Sequence, residues 1–403
     1  MDMVTKFKSS SRLKSSSSSV QVVLNQDENL LTLILSRVPW KQLMSLKCVS
    51  RQWRSLITNP QFTSLCHNLL PLRASGLFIQ HCDKVRFVAL DDQDSTRSPF
   101  RTLTFAPHDP YPRSVRILRS CNGLLLCSTT HSASLIQHKC YVYNPSNNQL
   151  AILPKHRPTT PVDYIGLAFD PSKSLHYKVI AFVKTSQSHN NVGDFHIYSS
   201  KTKTWNVSLQ SFLRVPGLQF DGGVYWHGCM HWLSTGVSNC LYFNVDKGTL
   251  ETFPRPPIVG RSTLKGSLYF GESEDHLHVT EVTSYDTSLS VYEMKSDYSE
   301  WFVKYRINLA PISKVFPDMM KHEACFEGHR YAVGVLSLIR RENFQEDSFL
   351  VLEIPGKAIR YNLVDRSFKV IWVSSVDFSP EEVKIWAFGQ LKVWPYIETL
   401  SCV

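Results

Sequence analysis

Hydrophobic positions along the chain change their period once. Between residues 25 and 73 they recur at three- and four-residue spacing. Leu30, Leu31, Ile34, Leu35 and Val38 fall on this pattern, which predicts a helix. Asn25 and Asp27 are placed to cap its start. Pro39 stops that helix and suits the first turn of a second, whose apolar face carries Leu43, Leu46 and Val49. Ser50 is placed to cap a third helix bearing Trp53, Leu56 and Ile57, which Asn59-Pro60 ends. Three helices this short share a small core and carry more apolar surface than it can hide. The excess predicts either packing against the rest of the chain or a surface for a partner.

From about Ser75 onward the period is two. Short runs of Val, Ile, Leu, Tyr and Phe alternate with Asn, Asp, Gly, Ser and Pro, the pattern of strands and turns. One unit recurs, an aromatic followed seven positions later by an apolar residue across a polar turn. It occurs as Tyr143 to Leu150, Tyr198 to Trp205, Phe243 to Leu250 and Tyr361 to Phe368, with a longer version from Tyr292 to Trp301. A sixth unit is expected around Phe87, before the acidic turn Asp91, Asp92, Asp94. Asn122-Gly123 marks a tight hairpin, and His227-Gly228 a second turn. Units of this length, each a few strands unable to cover their own faces, predict the blades of a β-propeller. The expected fold is therefore α+β and multidomain: a Ser-rich, basic tail over 1–24, a helical module over 25–73, and a mainly-β propeller of six or seven blades over 74–403.

Charge sharpens this division. Of 44 Lys and Arg against 34 Asp and Glu, residues 1–73 hold 10 against 3, leaving 34 against 31 for the remainder. The near-neutral remainder counts against a nucleic-acid-binding face spread over the whole protein. Arg37, Lys41, Lys47, Arg51, Arg54 and Arg73 fall in the helical module. No pair of the 10 cysteines has C-x-x-C spacing, so they read as reduced thiols of a nuclear or cytoplasmic protein. Neither a secretory h-region nor a membrane-spanning run is expected.

At residues 24–62 the run LNQDENLLTLILSRVPWKQLMSLKCVSRQWRSLITNPQF resembles an F-box, and the phrases SCNGLLLC, YNPS, VYWHGCMHWL and PYIETL after it are similar to the F-box-associated, kelch-like domains of plant F-box proteins. The resemblance implies docking on the Skp-type adaptor of a cullin-based (SCF) ubiquitin ligase, with the propeller holding a protein substrate and no catalysis by this chain. It places Leu24, Leu30, Leu31, Ile34, Leu35, Val38, Pro39, Leu43, Cys48, Val49 and Trp53 at or just beneath the adaptor interface. Family members often begin Leu-Pro; here Asn25 follows Leu24.

Motifs for independent chemistry are missing from the sequence. Gly260 to Gly266 lacks the spacing and lysine of a phosphate loop, and His322-Glu323 lacks the second histidine of a zinc protease. His227, Cys229 and His231 flank a predicted turn and read as structural rather than metal ligands. His276 and His278 read as a hydrogen-bonded surface pair, and Trp205, Trp226, Trp232, Trp301 and Trp372 as packing between blades. No cofactor or metal is expected. The competing expectation is a propeller-type carbohydrate- or small-molecule-binding module, or an enzyme, with an unrelated helical N-terminus.

Overall fold

The structure is a computed structural model, described over residues 28–69, 72–81, 84–90, 115–128, 140–154, 162–184, 192–208, 211–213, 218, 222–234, 239–257, 268–282, 288–322, 329–341, 348–374 and 391–403. Leu24, the caps Asn25 and Asp27, the tail over 1–24, the Asp91–Asp94 turn and the 260–266 segment lie outside the described residues. The chain divides into two compact units, Met1–Leu70 and Pro71–Val403.

The first unit holds α1 (Glu28–Leu35), α2 (Trp40–Leu46), α3 (Arg51–Thr58) and α4 (Pro60–Leu69). Pro39 stands at the N-cap of α2 with extended backbone, and its carbonyl accepts from the Leu43 amide at 3.1 Å. Ser50 Oγ accepts from the Trp53 amide at 3.1 Å and fixes the start of α3. The Asn59-Pro60 pair does more than end α3. Asn59 is extended, and its Oδ1 accepts from the Gln61 amide at 2.9 Å, so the same residue caps a further helix with Pro60 at its first position. The module therefore has a fourth helix that the apolar spacing did not reveal.

The second unit is a ring of antiparallel sheets. Blade one contains β1 (Ala74–His81) and β2 (Lys84–Ala89). Blade two is β3 (Arg116–Cys121), β4 (Leu124–Ser128), β5 (Cys140–Asn144) and β6 (Gln149–Ile152). Blade three is β7 (Val162–Ala168), β8 (Lys178–Lys184), β9 (Val192–Ser199) and β10 (Thr204–Val207), with β11 (Phe212–Leu213) added beside β9. Blade four is β12 (Val224–Trp226), β13 (Cys229–Trp232), β14 (Asn239–Asn244) and β15 (Thr249–Pro254). Blade five is β16 (Leu268–Ser273), β17 (His276–Glu281), β18 (Ser288–Met294) and β19 (Trp301–Asn308). A short helix α5 (Ala310–Val315) and the hairpin β20 (Met320–His322) with β21 (His329–Tyr331) lead into blade six. That blade is β22 (Gly334–Ile339), β23 (Phe349–Ile354), β24 (Lys357–Asn362) and β25 (Phe368–Val373). The last strand, β26 (Leu391–Ile397), returns to pair with β1 in the order β2-β1-β26.

The expected six or seven blades resolve to six. The innermost strands β26, β3, β7, β12, β16 and β22 touch in succession around the ring. Among the described residues, a buried apolar cluster fills each of the six junctions. Examples are Phe182, Phe195, Trp232 and Phe243 between blades three and four, and Leu289, Val291, Leu350 and Ile359 between blades five and six. Each sheet hides its faces only against its neighbours, so closure by β26 is required for blade one to cover its own apolar faces.

The repeating unit is the hairpin between third and fourth strands. Tyr143 faces Leu150, Tyr198 faces Trp205, Phe243 faces Leu250 and Tyr361 faces Phe368 as cross-strand partners. In blade five Trp301 faces Met294, seven residues earlier, while Tyr292 faces Val303. The unit that looked longer in sequence thus keeps the common spacing, with Met294 standing where other blades carry an aromatic. Phe87 lies on β2, third strand of its blade. The turns share one local device: Asn144, Asn244 and Asn362 each accept an amide of the turn on Oδ1 at 2.8 Å, and Asp297 does the same at 3.0 Å.

Candidate functional site

Within α1 five of eight residues are Leu or Ile, so one face of the helix cannot account for all of them. Leu31 and Leu35, four apart, are buried, as are Trp40, Leu43, Leu56, Ile57 and Phe62 of the other helices. The remaining apolar side chains point outward: Leu30 is 39%, Leu33 52% and Ile34 45% exposed. Their i, i+3, i+4 spacing sets them on one ridge. Val49, expected on the second helix, lies in the turn beyond α2, where it is 60% exposed, and neighbouring Cys48 is exposed as well. Pro39 is exposed, whereas Val38 and Trp53 are half-buried.

The residues predicted for the adaptor interface therefore separate. Leu30, Ile34, Pro39, Cys48 and Val49 are accessible, and Val38 and Trp53 are partly so. Leu31, Leu35 and Leu43 form the support beneath. Leu33 joins the ridge although the apolar spacing did not single it out. The missed signal was the composition of α1, apolar on both faces.

In the propeller, the conspicuous polar groups serve the ring. His231 is fully buried, with Nδ1 against the Cys229 carbonyl at 3.1 Å and Nε2 against the Tyr298 hydroxyl at 2.8 Å. Burial pushes its pKa down to about 3, so the ring is neutral. His227 sits on the turn with Nε2 3.3 Å from Asp275 of the next blade. The three side chains of the His227, Cys229, His231 segment do not converge, and no group of three or more His, Cys, Asp or Glu is placed to hold a metal among the described residues.

His276 and His278 differ from expectation in one respect. They are hydrogen-bonded, but His278 is completely buried rather than on the surface. Both rings meet one carboxylate, His276 Nδ1 at 2.9 Å from Glu293 Oε1 and His278 Nε2 at 3.1 Å from Oε2. Arg340, arriving from blade six, donates Nη1 to the same Oε2 at 2.9 Å. Burial alone would raise the Glu293 pKa. The donors His276 and His278 and the Arg340 charge outweigh it and hold the carboxyl far below its ordinary range.

Other junctions have their own polar links. Trp205 Nε1 donates to the Pro154 carbonyl at 3.0 Å, from blade three to blade two, and Trp301 Nε1 repeats this to Pro254 at 2.8 Å, from blade five to blade four. Trp226 Nε1 donates to the Asp275 carbonyl at 2.9 Å. Trp232 is buried against Phe195, and the Trp372 ring lies 5.7 Å from His81. The tryptophans thus pack between blades. Past β26, the terminal residues strap onto blade two: Asn144 Nδ2 donates to the Thr399 and Ser401 carbonyls at 3.1 and 2.7 Å, and the Thr399 amide donates to Ser146 Oγ at 3.0 Å.

Comparison with known proteins adds to this geometry. Residues 27–65 match the F-box domain, and residues 77–305 match the F-box associated beta propeller domain. F-box protein At5g07610 of Arabidopsis thaliana is 32% identical, over 91% of this chain and 90% of that protein. F-box protein At5g49610 of Arabidopsis thaliana is 26% identical, over 72% and 81%. The putative F-box/kelch-repeat protein At3g22730 of Arabidopsis thaliana is 23% identical, over 85% and 91%.

Proposed function

The chain belongs to the F-box proteins that carry an F-box-associated β-propeller, and from that premise we propose that it is the substrate-receptor subunit of an SCF-type ubiquitin ligase. The helical unit docks on a Skp-type adaptor and through it on a cullin. The propeller holds a protein substrate, while ubiquitin transfer is performed by other subunits. It acts in the nucleus or cytoplasm.

The observation that carries this reading is the outward ridge of Leu30, Leu33 and Ile34, on a helix whose opposite face already supplies the module's core. An apolar face turned to water on a surface helix costs free energy that a partner groove recovers. Among the described residues nothing comparable favours the enzyme or lectin-like alternative. His276 and His278 are spent on Glu293, and His231 on Tyr298.

The test is co-purification of the full chain with a Skp-type adaptor, compared with Leu33→Asp and Ile34→Asp. Binding by the native chain, lost in both variants while the propeller melts unchanged, is the expected result. Failure of the native chain to bind any Skp-type adaptor overturns the proposal.

A further inference from the structure

The charged residues of the helical unit are mostly cations. Residues 28–69 contain five Lys or Arg (Arg37, Lys41, Lys47, Arg51 and Arg54) and one carboxylate, Glu28, so 5 − 1 leaves +4 in 42 residues. Arg37, Arg51 and Arg54 are exposed. Their positions follow the apolar groups. Arg37 stands three residues past Ile34 and four past Leu33, one turn beyond the ridge. Lys47 and Arg51 flank the exposed pair Cys48-Val49, and Arg51 and Arg54 share a face of α3. The propeller shows no such bias, with Lys and Arg nearly balanced by Asp and Glu beyond residue 73.

Resting on the adaptor reading above, we infer that this rim is a steering surface. The helical unit is recognised by a protein whose apolar groove is bordered by carboxylates, and the cations accelerate encounter rather than hold the complex. An apolar ridge alone sets the dissociation rate. A one-signed rim around it raises the association rate, by tenfold or more at low salt, and that gain vanishes as salt screens it. The Debye length falls from about 30 Å at 0.01 M to about 8 Å at 0.15 M, which makes the effect measurable within ordinary buffers. A nucleic acid is the other polyanion such a rim could meet. The exposed aliphatic groups among the cations favour a protein, because Leu30, Leu33, Ile34 and Val49 offer neither stacking planes nor phosphate contacts.

The experiment measures association and dissociation rates of the full chain with a purified Skp-type adaptor between 0.02 and 0.5 M NaCl (about 21 to 4 Å of screening length). The native chain is compared with R51E/R54E, R51K/R54K and, on a different helix, Arg37→Glu. The expected result is an association rate that falls at least tenfold with salt in the native chain. It should be about tenfold lower and flatter at low salt in both Glu variants, restored in R51K/R54K, with dissociation changed less than threefold. Arg37→Glu makes the outcome independent of whether α3 tolerates two reversals. Binding with a salt-independent association rate, or a loss confined to dissociation, overturns the inference and leaves the adaptor reading intact. Displacement of the adaptor by duplex DNA or RNA at 0.15 M salt overturns it in favour of a nucleic-acid face. No binding at any salt overturns the adaptor reading itself.

Discussion

Arg340 donates to the Glu293 carboxylate at 2.9 Å across the junction of blades five and six, with both side chains about 5% exposed. A buried pair of this kind is weak as a source of net stability but expensive to break from one side. The remaining charge then stays buried with part of its compensation removed.

Arg340→Met is therefore expected to cost about 3 kcal/mol, the low end for a buried pair broken from one side, since Glu293 keeps its charge with only His276 and His278 left to meet it. Glu293→Leu should cost a similar amount by taking the shared carboxylate from Arg340, His276 and His278. The double variant should lose less than the sum, and the coupling is read from a double-mutant cycle in chemical denaturation. Strict additivity would show that the pair does not act across the junction.

The same cluster sets the acid side of stability. Glu293 has a folded pKa below its ordinary 4.5, so its contribution is complete above that value and is lost as pH falls through the depressed one. Burial also lowers His278 below its ordinary 6.5, against the pull of Glu293, so the unfolded chain binds its proton first and stability begins to decline below about pH 6.5. Half-buried Glu272 works in the opposite direction. Burial pushes it up to about 7, and its contribution, present below 4.5, is lost as pH rises through 7. Unfolding free energy plotted against pH should fall on the acid side, less steeply in Glu293→Gln below pH 4.5, and Glu272→Gln should flatten the slope between 4.5 and 7.

The terminal strap gives a third test. Asn144 serves three acceptor and donor roles at once, capping its own turn through Oδ1 and holding Thr399 and Ser401 through Nδ2. Replacing it with Ala removes these bonds at about 0.5–1.5 kcal/mol each. Deleting residues 399–403 should lower the melting temperature of the propeller in the same direction. Gly123→Ala should do so too. Its φ is +90°, and a Cβ there would stand 2.5 Å from Thr399 Cγ2 and 2.7 Å from the Ile397 carbonyl. An unchanged melt in all three variants would mean that the strap does not hold the ring closed.

The parts of this molecule that were legible in sequence are those written locally. Asn122-Gly123 forms the predicted tight hairpin with φ of +45° and +90°, because those two residue types tolerate the left-handed region. The turn Glu274-Asp275 adopts the same positive φ without Asn or Gly, and Asp275 alone was a weaker signal for it. The seven-residue spacing read the third-to-fourth-strand hairpins correctly wherever an aromatic marked the third strand. It slipped by two residues where Met294 took that place. The Glu293 cluster was invisible because its donors come from a neighbouring strand 15 residues away and a different blade 47 residues away. Sequence spacing holds no record of which blade faces which.

The helical unit offers the sharpest separation between support and contact, in adjacent residues of one helix. Ile34 is 45% exposed and Leu35 is 1% exposed. Leu35→Ala should destabilise the module by about 2–5 kcal/mol through the cavity it leaves, and weaken adaptor binding only as far as the module unfolds. Ile34→Ala removes no core contact, so its melt should stay within about 0.5 kcal/mol of the native chain. Its loss of adaptor affinity should appear at temperatures where both proteins are fully folded. Measuring affinity and local stability in parallel, by titration and by hydrogen exchange over residues 28–69, distinguishes the two. If Leu35→Ala weakens binding more than Ile34→Ala while its exchange protection is unchanged, the ridge of Leu30, Leu33 and Ile34 is not the contact surface.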